Sequence, residues 1–256
     1  MTDQSEAGRA SPASPDDAPA LPALVDRATW NAEREQLLIR EKAHTHEGDA
    51  IAAARRRLPA VEVDAHATLI GPEGPVPLLE VFEGRRQLIA YFHMWHAGRP
   101  ATEQCEGCTF YNGQVRELAY LHARDVTYAT FCQGPYDESV RYRDFMGWDV
   151  PWYSVEDAAE NLLDGRPVGL FYLVFYLRHG DRVFETYATR GRGVEVMAPT
   201  WGLLDYTLYG RQETWQDSPP GWPQPWPVAP ESFCTNGRPT AQLSRLEAGR
   251  SDELKP

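Results

Sequence analysis

Apolar residues in this chain fall into short dense runs separated by turn signals. Residues 87–95, QLIAYFHMW, form a nearly continuous apolar run of strand length, the pattern of a strand buried on both faces. Residues 66–70 (HATLI) predict an earlier strand, GPEGP a turn, and LLEVF a short helical or extended piece. A loop, HAGRPATEQ, leads to CEGC. There the period changes: Phe110, Val115, Leu118 and Leu121 recur at helical spacing. DVTYATFC (125–132) predicts the next strand, YDESVRYRDFMG a helix, and GWDVPWY an extended stretch. Ser154 and Asp157 resemble a capping box, opening a helix that ends near Asp164 and Gly165. LFYLVFYL and VFETYAT, joined by a turn at 178–181, read as an antiparallel pair, and Pro199 starts a closing helix, APTWGLLDYTLYG. Strands alternating with helices, then a hairpin and a last helix, predict an α/β fold: a mixed central sheet with helices on both faces.

The flanks have a different texture. Residues 1–24 are rich in Ala, Pro, Ser and Asp and poor in large apolar residues, so they read as a disordered arm. Residues 25–60 read as a helical extension of two pieces, with Thr29 as first cap, Gly48 and Asp49 as stop and fresh cap, and Pro59 as the end. Trp30, Leu37, Leu38 and Ile51 are scattered among charges, which places this extension on a domain surface or against a second subunit, compatible with a homodimer. Arg55, Arg56 and Arg57 suit a helix C-terminus, where the dipole favours cations. The compact domain is expected over 61–210. Residues 211–256 form a Pro/Trp-rich tail, with Trp215, Trp222 and Trp226 expected to tuck into surface grooves and the stretch from about 235 expected to be disordered.

Composition narrows the function classes. The chain has 256 residues and a formal charge of −12, which argues against nucleic acid as partner, since phosphate contacts need a positive face. No apolar run approaches the roughly 18 to 20 residues that span a bilayer, and the N-terminal stretch does not read as a secretory leader. Four cysteines are too few for a disulfide scaffold, and the expected compartment is the reducing cytoplasm.

Two of the cysteines carry the chemistry. Cys105-Glu106-Gly107-Cys108 stands between the apolar strand and the helix that follows. Two intervening residues let one helical turn bring the sulfurs within disulfide range, and the helix N-terminus stabilises a thiolate. Cys105 is expected to be the attacking thiolate and Cys108 the resolving thiol of thiol–disulfide exchange on a thiol or disulfide substrate, with no cofactor beyond the pair. Glu106 adds a negative charge that should raise the thiol pKa.

The element order and the position of C-x-x-C resemble the thioredoxin fold. The chain is more closely similar to a bacterial thioredoxin-like family, domain of unknown function 899, described as predicted dithiol–disulfide oxidoreductases. The resemblance runs from about Trp30 to Glu213 through REQLLIREKAHT, RRRLPAVEVD, LLEVFEGRRQLIAYFHMW, CEGCTF, ARDVTYAT, YRDFMGWDVPWYS, VFETYATRGRG and LLDYTLYGRQE. It implies a redox-active cysteine pair on a thioredoxin-like fold. The doublet between the cysteines is Glu-Gly, not the Gly-Pro of thioredoxin, and Pro167 is the candidate for the proline that faces the disulfide there. Thr102-Glu103-Gln104-Cys105 matches the T-x-x-C part of the peroxiredoxin site, although the proline of that motif is displaced to Pro100. The resemblance therefore keeps a thiol peroxidase, with Cys105 as peroxidatic thiol and Thr102 positioning the peroxide, as a rival.

A second rival is structural zinc on a non-catalytic protein. His93 and His96 precede the cysteines as H-x-x-H, and two imidazoles with two thiolates suit tetrahedral zinc. Cys132 ends the neighbouring strand, either as a third thiol near the pair or as a small buried residue. Cys234 is expected to be a free thiol without function. Trp95, Trp148, Trp152 and Tyr153 gather near the strand ends as core or as groove wall, and 190–193 (RGRG) reads as a turn.

Overall fold

Hydrogen-bonded partners on both edges and packed layers on both faces surround the apolar run that begins at residue 87. In the computed structural model, which describes residues 21–223 and 233–254, it forms β4 (Gln87–His93). Side chains alternate across a strand. Accordingly Leu88, Ala90 and Phe92 enter one buried layer and Tyr91 enters the other. The expected disordered arm lies outside the described residues except for 21–24, as does Trp226.

The elements before β4 are α1 (Arg27–Arg55), β1 (Val61–Val63), β2 (Thr68–Gly71), β3 (Gly74–Pro77) and α2 (Leu78–Val81). Those after it are α3 (Glu106–Gln114), α4 (Ala119–His122), β5 (Val126–Cys132), α5 (Tyr136–Met146), β6 (Trp152–Ser154), α6 (Ala159–Leu163), β7 (Tyr172–His179), β8 (Arg182–Thr189) and α7 (Pro199–Leu204). The sheet has eight strands in the order β1-β8-β7-β4-β5-β6-β2-β3. β5 runs parallel to β4, and β7 runs antiparallel to it. The β7–β8 pair is the expected hairpin. The unit β4-α3-β5-α5, followed by that hairpin and a closing helix, with strands in the order β5-β4-β7-β8, is the thioredoxin-like fold. α3, α5 and α7 contribute to the layer holding Tyr91, while α2 and α6 contribute to the opposite one.

Several expectations are corrected. The N-terminal extension is one helix, not two. Asp26 caps it, its carboxylate accepting from Thr29 N at 2.8 Å, and the chain passes through Gly48 without a break. A helical glycine costs only about 1 kcal/mol, which the alanines that follow make tolerable. No residue of α1 is buried; at its foot the Arg55 guanidinium lies 5.2 Å from the Tyr187 ring. The helix after CEGC stops at Gln114, because Val115 takes an extended conformation, and Leu121 belongs to the separate α4. The Ser154 capping box does not form: the Ser154 hydroxyl donates to Gly134 O at 2.6 Å, and α6 starts later. Residues 191–197 make a 3-10 stretch where a turn was expected.

The largest correction is the C-terminal segment. Residues expected to be disordered from about 235 form β9 (Cys234–Thr235), β10 (Arg238–Pro239), a 3-10 turn at 240–242 and α8 (Leu243–Glu247). The segment packs on α3, with Phe233 against Phe110, Tyr111 and Trp201. Gln242, fully buried, donates from Nε2 to Ala101 O and to the Tyr142 hydroxyl, both at 2.8 Å. A Pro- and Thr-containing stretch carries no helical period, so only these tertiary bonds specify its structure.

Two glycines are needed for shape. Gly147 ends α5 in the left-handed region (φ 64°). Gly134 lies under Trp95, where a Cβ would meet the indole at 2.0 Å. Among the described residues, no helix is long and apolar enough to cross a membrane.

Replacing Gln242 by Ala orphans two buried acceptors. Gln242→Ala is expected to lower the unfolding free energy by about 2 kcal/mol in a urea titration. Replacement of Gln216, outside this network, is the control.

Candidate functional site

The site is built where β4 hands over to α3. After β4 the chain crosses residues 94–104 before α3 begins, and this crossing is pinned from inside by Gln104, only 1% exposed. Its Oε1 accepts from His96 N at 3.1 Å, and its Nε2 donates to His96 O at 2.9 Å and Arg99 O at 3.1 Å. Those bonds fix where Cys105 emerges. Nothing in the sequence pattern singles out Gln104.

Cys105 is the N-cap of α3, and its own sulfur serves as the cap: Sγ accepts from Cys108 N at 3.3 Å. It also touches Met94 Sδ at 3.7 Å. Cys105 is partly exposed and Cys108 fully buried. The thiols interact with each other, and that interaction is the largest influence lowering the Cys105 pKa; the Cys108 and Gly107 N–H groups reinforce it, while burial and the Glu106 charge oppose it. Gly107 thus acts through its backbone, and Glu106 has the sign expected from sequence. Burial, above all, pushes the Cys108 thiol well up. The two sulfurs are therefore unlike: one is partly exposed with a lowered pKa, and the other is buried with a raised one.

A chain of hydroxyls supports the cap from behind. Thr109 Oγ1 donates to Cys105 O at 2.9 Å and lies 2.6 Å from the Tyr142 hydroxyl, which accepts from Gln242. With Thr109 donating to Cys105, Tyr142 must donate to Thr109, so the bonds run in one direction from Gln242 to the Cys105 carbonyl. Tyr91 lies beneath Cys108, within reach of its thiol. Beside the cysteines, Glu106, Thr109, Phe110, Trp201, Phe233 and Ala241 line a cleft of about 160 Å³.

The remaining candidates separate. Thr102 sits in a 3-10 turn (Ala101–Glu103), partly buried, three residues ahead of Cys105. Cys132 is paired in register with His93, but its thiol is buried near Ser139 and Gly134, and burial raises its pKa strongly. Pro167 lies five residues before β7, its carbonyl accepting from Tyr172 at 3.0 Å; the residue directly ahead of β7 is Phe171, whose ring packs on Tyr111. Trp95 folds inward onto Tyr142 at 5.6 Å. Trp148 and Trp152 stack at 5.8 Å, whereas Tyr153 lies on the opposite sheet face against Phe131.

His93 is fully buried among Tyr91, Trp95, Trp148 and Trp152, with Nδ1 2.6 Å from Met94 O. Among the described residues, no group of three or more His, Cys, Asp or Glu side chains is placed to hold a metal ion. His93, His96, Cys105 and Cys108 thus do not form the four-ligand set that their spacing allowed.

A family model described as bacterial protein of unknown function (DUF899) matches residues 19–227. No curated protein matches the chain. Among solved structures, a cysteine-to-serine mutant of peroxiredoxin Q from Xanthomonas campestris is 14% identical, with a TM-score of 0.39 over 56% of this chain and 97% of that one. Peroxidoxin BcpB from Mycobacterium tuberculosis is also 14% identical, with a TM-score of 0.35 over 55% and 93%. The fold assignment rests on strand order and connections, not on these distant likenesses.

Two outcomes follow from the charges around the site. Glu106→Gln removes a charge that raises the Cys105 pKa, so Cys105 should react about two- to fivefold faster with iodoacetamide at neutral pH. For His93, burial leads in lowering the pKa from 6.5 to about 4; the Met94 carbonyl opposes it and His96 adds to it. The unfolded chain then binds this proton more readily than the folded one. Stability from this group is complete above about pH 6.5 and is lost as pH falls towards 4, by roughly 3 kcal/mol at most. Urea titrations across that range should show the slope, and His93→Phe should flatten it.

Proposed function

The chain belongs to the bacterial DUF899 family, and we propose that it is a dithiol–disulfide oxidoreductase working through Cys105 and Cys108. The observation that carries this reading is the inequality of the two thiols at one helix end. Cys105 is partly exposed and its pKa is lowered, so it attacks a substrate disulfide. One substrate sulfur leaves as a thiol and the other remains bonded to Cys105. Cys108, one turn further in, then attacks Cys105 Sγ; the second substrate thiol leaves and the internal disulfide closes. Run backwards, the same steps oxidise a dithiol substrate. The proton lost by Cys108 is balanced by the one the leaving thiolate takes up. The partner is accordingly a thiol or disulfide that presents a sulfur to Cys105, with the cleft lined by Glu106, Phe110 and Trp201 alongside. The cysteine pair is the redox centre and calls for no further cofactor. We place the reaction in the cytoplasm, where such a pair is kept in play by the thiol pool.

A redox titration of the full chain, quenched by alkylation and read by mass, should show a reversible Cys105–Cys108 disulfide within the cytosolic range. Cys105→Ser should abolish reduction of insulin disulfides, by at least about 100-fold. Cys108→Ser should trap a mixed disulfide on Cys105. Undiminished insulin reduction by Cys105→Ser would overturn the proposal. Rapid oxidation of Cys105 by micromolar peroxide, lost in Thr102→Val, would replace it with the peroxidase reading.

A further inference from the structure

The resolving step needs Cys108 as a thiolate, yet Cys108 is the sulfur that burial keeps protonated. The titratable groups that face it are Cys105 from α3, Tyr91 from β4, Tyr128 from β5 and Tyr142 from α5. None of the principal groups acting on Cys108 is a carboxylate or an amine. A negative sulfur at this position therefore has to be stabilised by neutral donors.

Two are in place, both supplied by β4 and the residue just beyond it. Met94 N–H points at Cys108 Sγ at 3.4 Å. The second donor is the Tyr91 hydroxyl. Tyr91 is fully buried, and among the described residues its hydroxyl makes no hydrogen bond of ordinary geometry, the Cys108 thiol being the polar group it faces. The neighbouring phenols are already committed: Tyr128 donates to Asn112 Oδ1 at 3.0 Å, and Tyr142 sits between Thr109 and Gln242. An unpaired hydroxyl at the centre of a packed layer is left desolvated without compensation, so a fold that keeps one there bears a standing penalty. The penalty is relieved when the adjacent sulfur becomes an anion and accepts that proton in a hydrogen bond.

We infer that Tyr91 is a catalytic residue of the resolving step, donating a hydrogen bond from its hydroxyl to the Cys108 thiolate together with Met94 N–H. This rests on the dithiol reading above and adds a residue to it. Tyr91 keeps its proton throughout: burial holds the phenol far from ionisation. In the step itself Cys108 S–H releases its proton to solvent, the thiolate attacks Cys105 Sγ, and the Cys105–substrate bond breaks. The substrate leaves as a thiolate, which takes up a proton, so electrons and protons balance within the pair and its substrate. As the new disulfide forms, the charge leaves Cys108 and the Tyr91 bond is released.

Ellman's reagent, a symmetric aromatic disulfide, separates the two steps in the full-length chain carrying Cys234→Ser, which removes the other partly exposed thiol and serves as the wild type of this assay. The first equivalent of released thiolate reports attack by Cys105, and the second reports closure by Cys108. In Tyr91→Phe the first phase should stay within about twofold. The second should slow at least about tenfold at pH 7, with its pH midpoint moved upward by about one unit. A role in packing alone would not move that midpoint, because Phe preserves the ring and removes only an unpartnered hydroxyl. As a second measurement, thiolate absorbance in a Cys105→Ser background should show Cys108 titrating at higher pH once Tyr91 is also replaced by Phe. A second phase unchanged in rate and midpoint, in a wild-type chain that releases two equivalents, would overturn the role of Tyr91 alone. Release of only one equivalent by the wild type would overturn the dithiol reading, and the role of Tyr91 with it.

Discussion

β4 is hydrogen-bonded along its length to β5 on one edge and β7 on the other, and both of its faces are covered. A strand held this way cannot slip by one residue without moving every side chain to the wrong layer. That constraint decides the chemistry. It places Tyr91 and His93 on the face that carries α3, and it fixes the point at which the chain leaves the sheet for the Gln104-pinned crossing and the helix beyond. Cys105 then has one available position, at the first turn of α3, with Cys108 directly above Tyr91. The backbone of the sheet is therefore the scaffold from which both sulfurs are placed, and the crossing from β4 to α3, pinned by Gln104, carries that placement to Cys105.

The asymmetry between the sulfurs follows from the same placement. Only the cap position at a helix end offers free N–H groups, and Cys105 takes it by accepting from Cys108 N. Cys108 is one turn further in, where its own N–H is used for that cap and its sulfur faces the sheet. Glu106 acts against the thiolate electrostatically while favouring α3 through the helix dipole, since a carboxylate in the first turn is stabilising. Glu106 thus opposes the Cys105 thiolate and favours the helix that presents it, while Gly107 supports the thiolate through its N–H. An attacking thiol is most effective when its pKa is near the ambient pH, because intrinsic nucleophilicity falls as the pKa falls.

What was legible in the sequence is what local chemistry determines. The run ending in HMW and the apolar hairpin strands each carry a period of their own and became strands, and the change of period after CEGC marked the start of α3, though not its end. The placement of Cys105 and Cys108 at the start of α3 was legible because two residues between thiols at a strand-to-helix boundary is a pattern in itself. The failures have one physical cause. Gly48 and the Ser154–Asp157 pair are stop and cap signals that act only when neighbouring residues leave the backbone a choice. The alanines after Gly48 removed that choice, and Gly134 took the Ser154 hydroxyl. Gln104, Tyr142 and Gln242 went unnoticed because a buried hydrogen-bonding side chain has no sequence period; its partners lie 5 to 141 residues away. The histidines left an alternative open for a related reason: H-x-x-H gives the spacing of ligands but not their direction, and His93 points into the aromatic layer.

The C-terminal segment adds a division of labour within the site. The family match ends at residue 227, whereas Phe233, Ala241 and Gln242 come from beyond it. The cysteines, the cap and Tyr91 all lie inside the matched region. The outer wall of the cleft and the last donor in the hydroxyl chain lie outside it. The exchange proposed above needs only the pair and the groups that set its two pKa values. Access to the pair depends on what covers α3, and here that cover is made by Phe233 on Phe110 and by Gln242 on Ala101 and Tyr142. Because Gln242 bonds both the residue that opens the 101–103 turn and the phenol behind Thr109, displacing the segment would unbind the wall and slacken the support of the Cys105 carbonyl together. The wall of the cleft and the support of the Cys105 carbonyl thus share a single buried amide, that of Gln242, set apart from the strand that places the sulfurs.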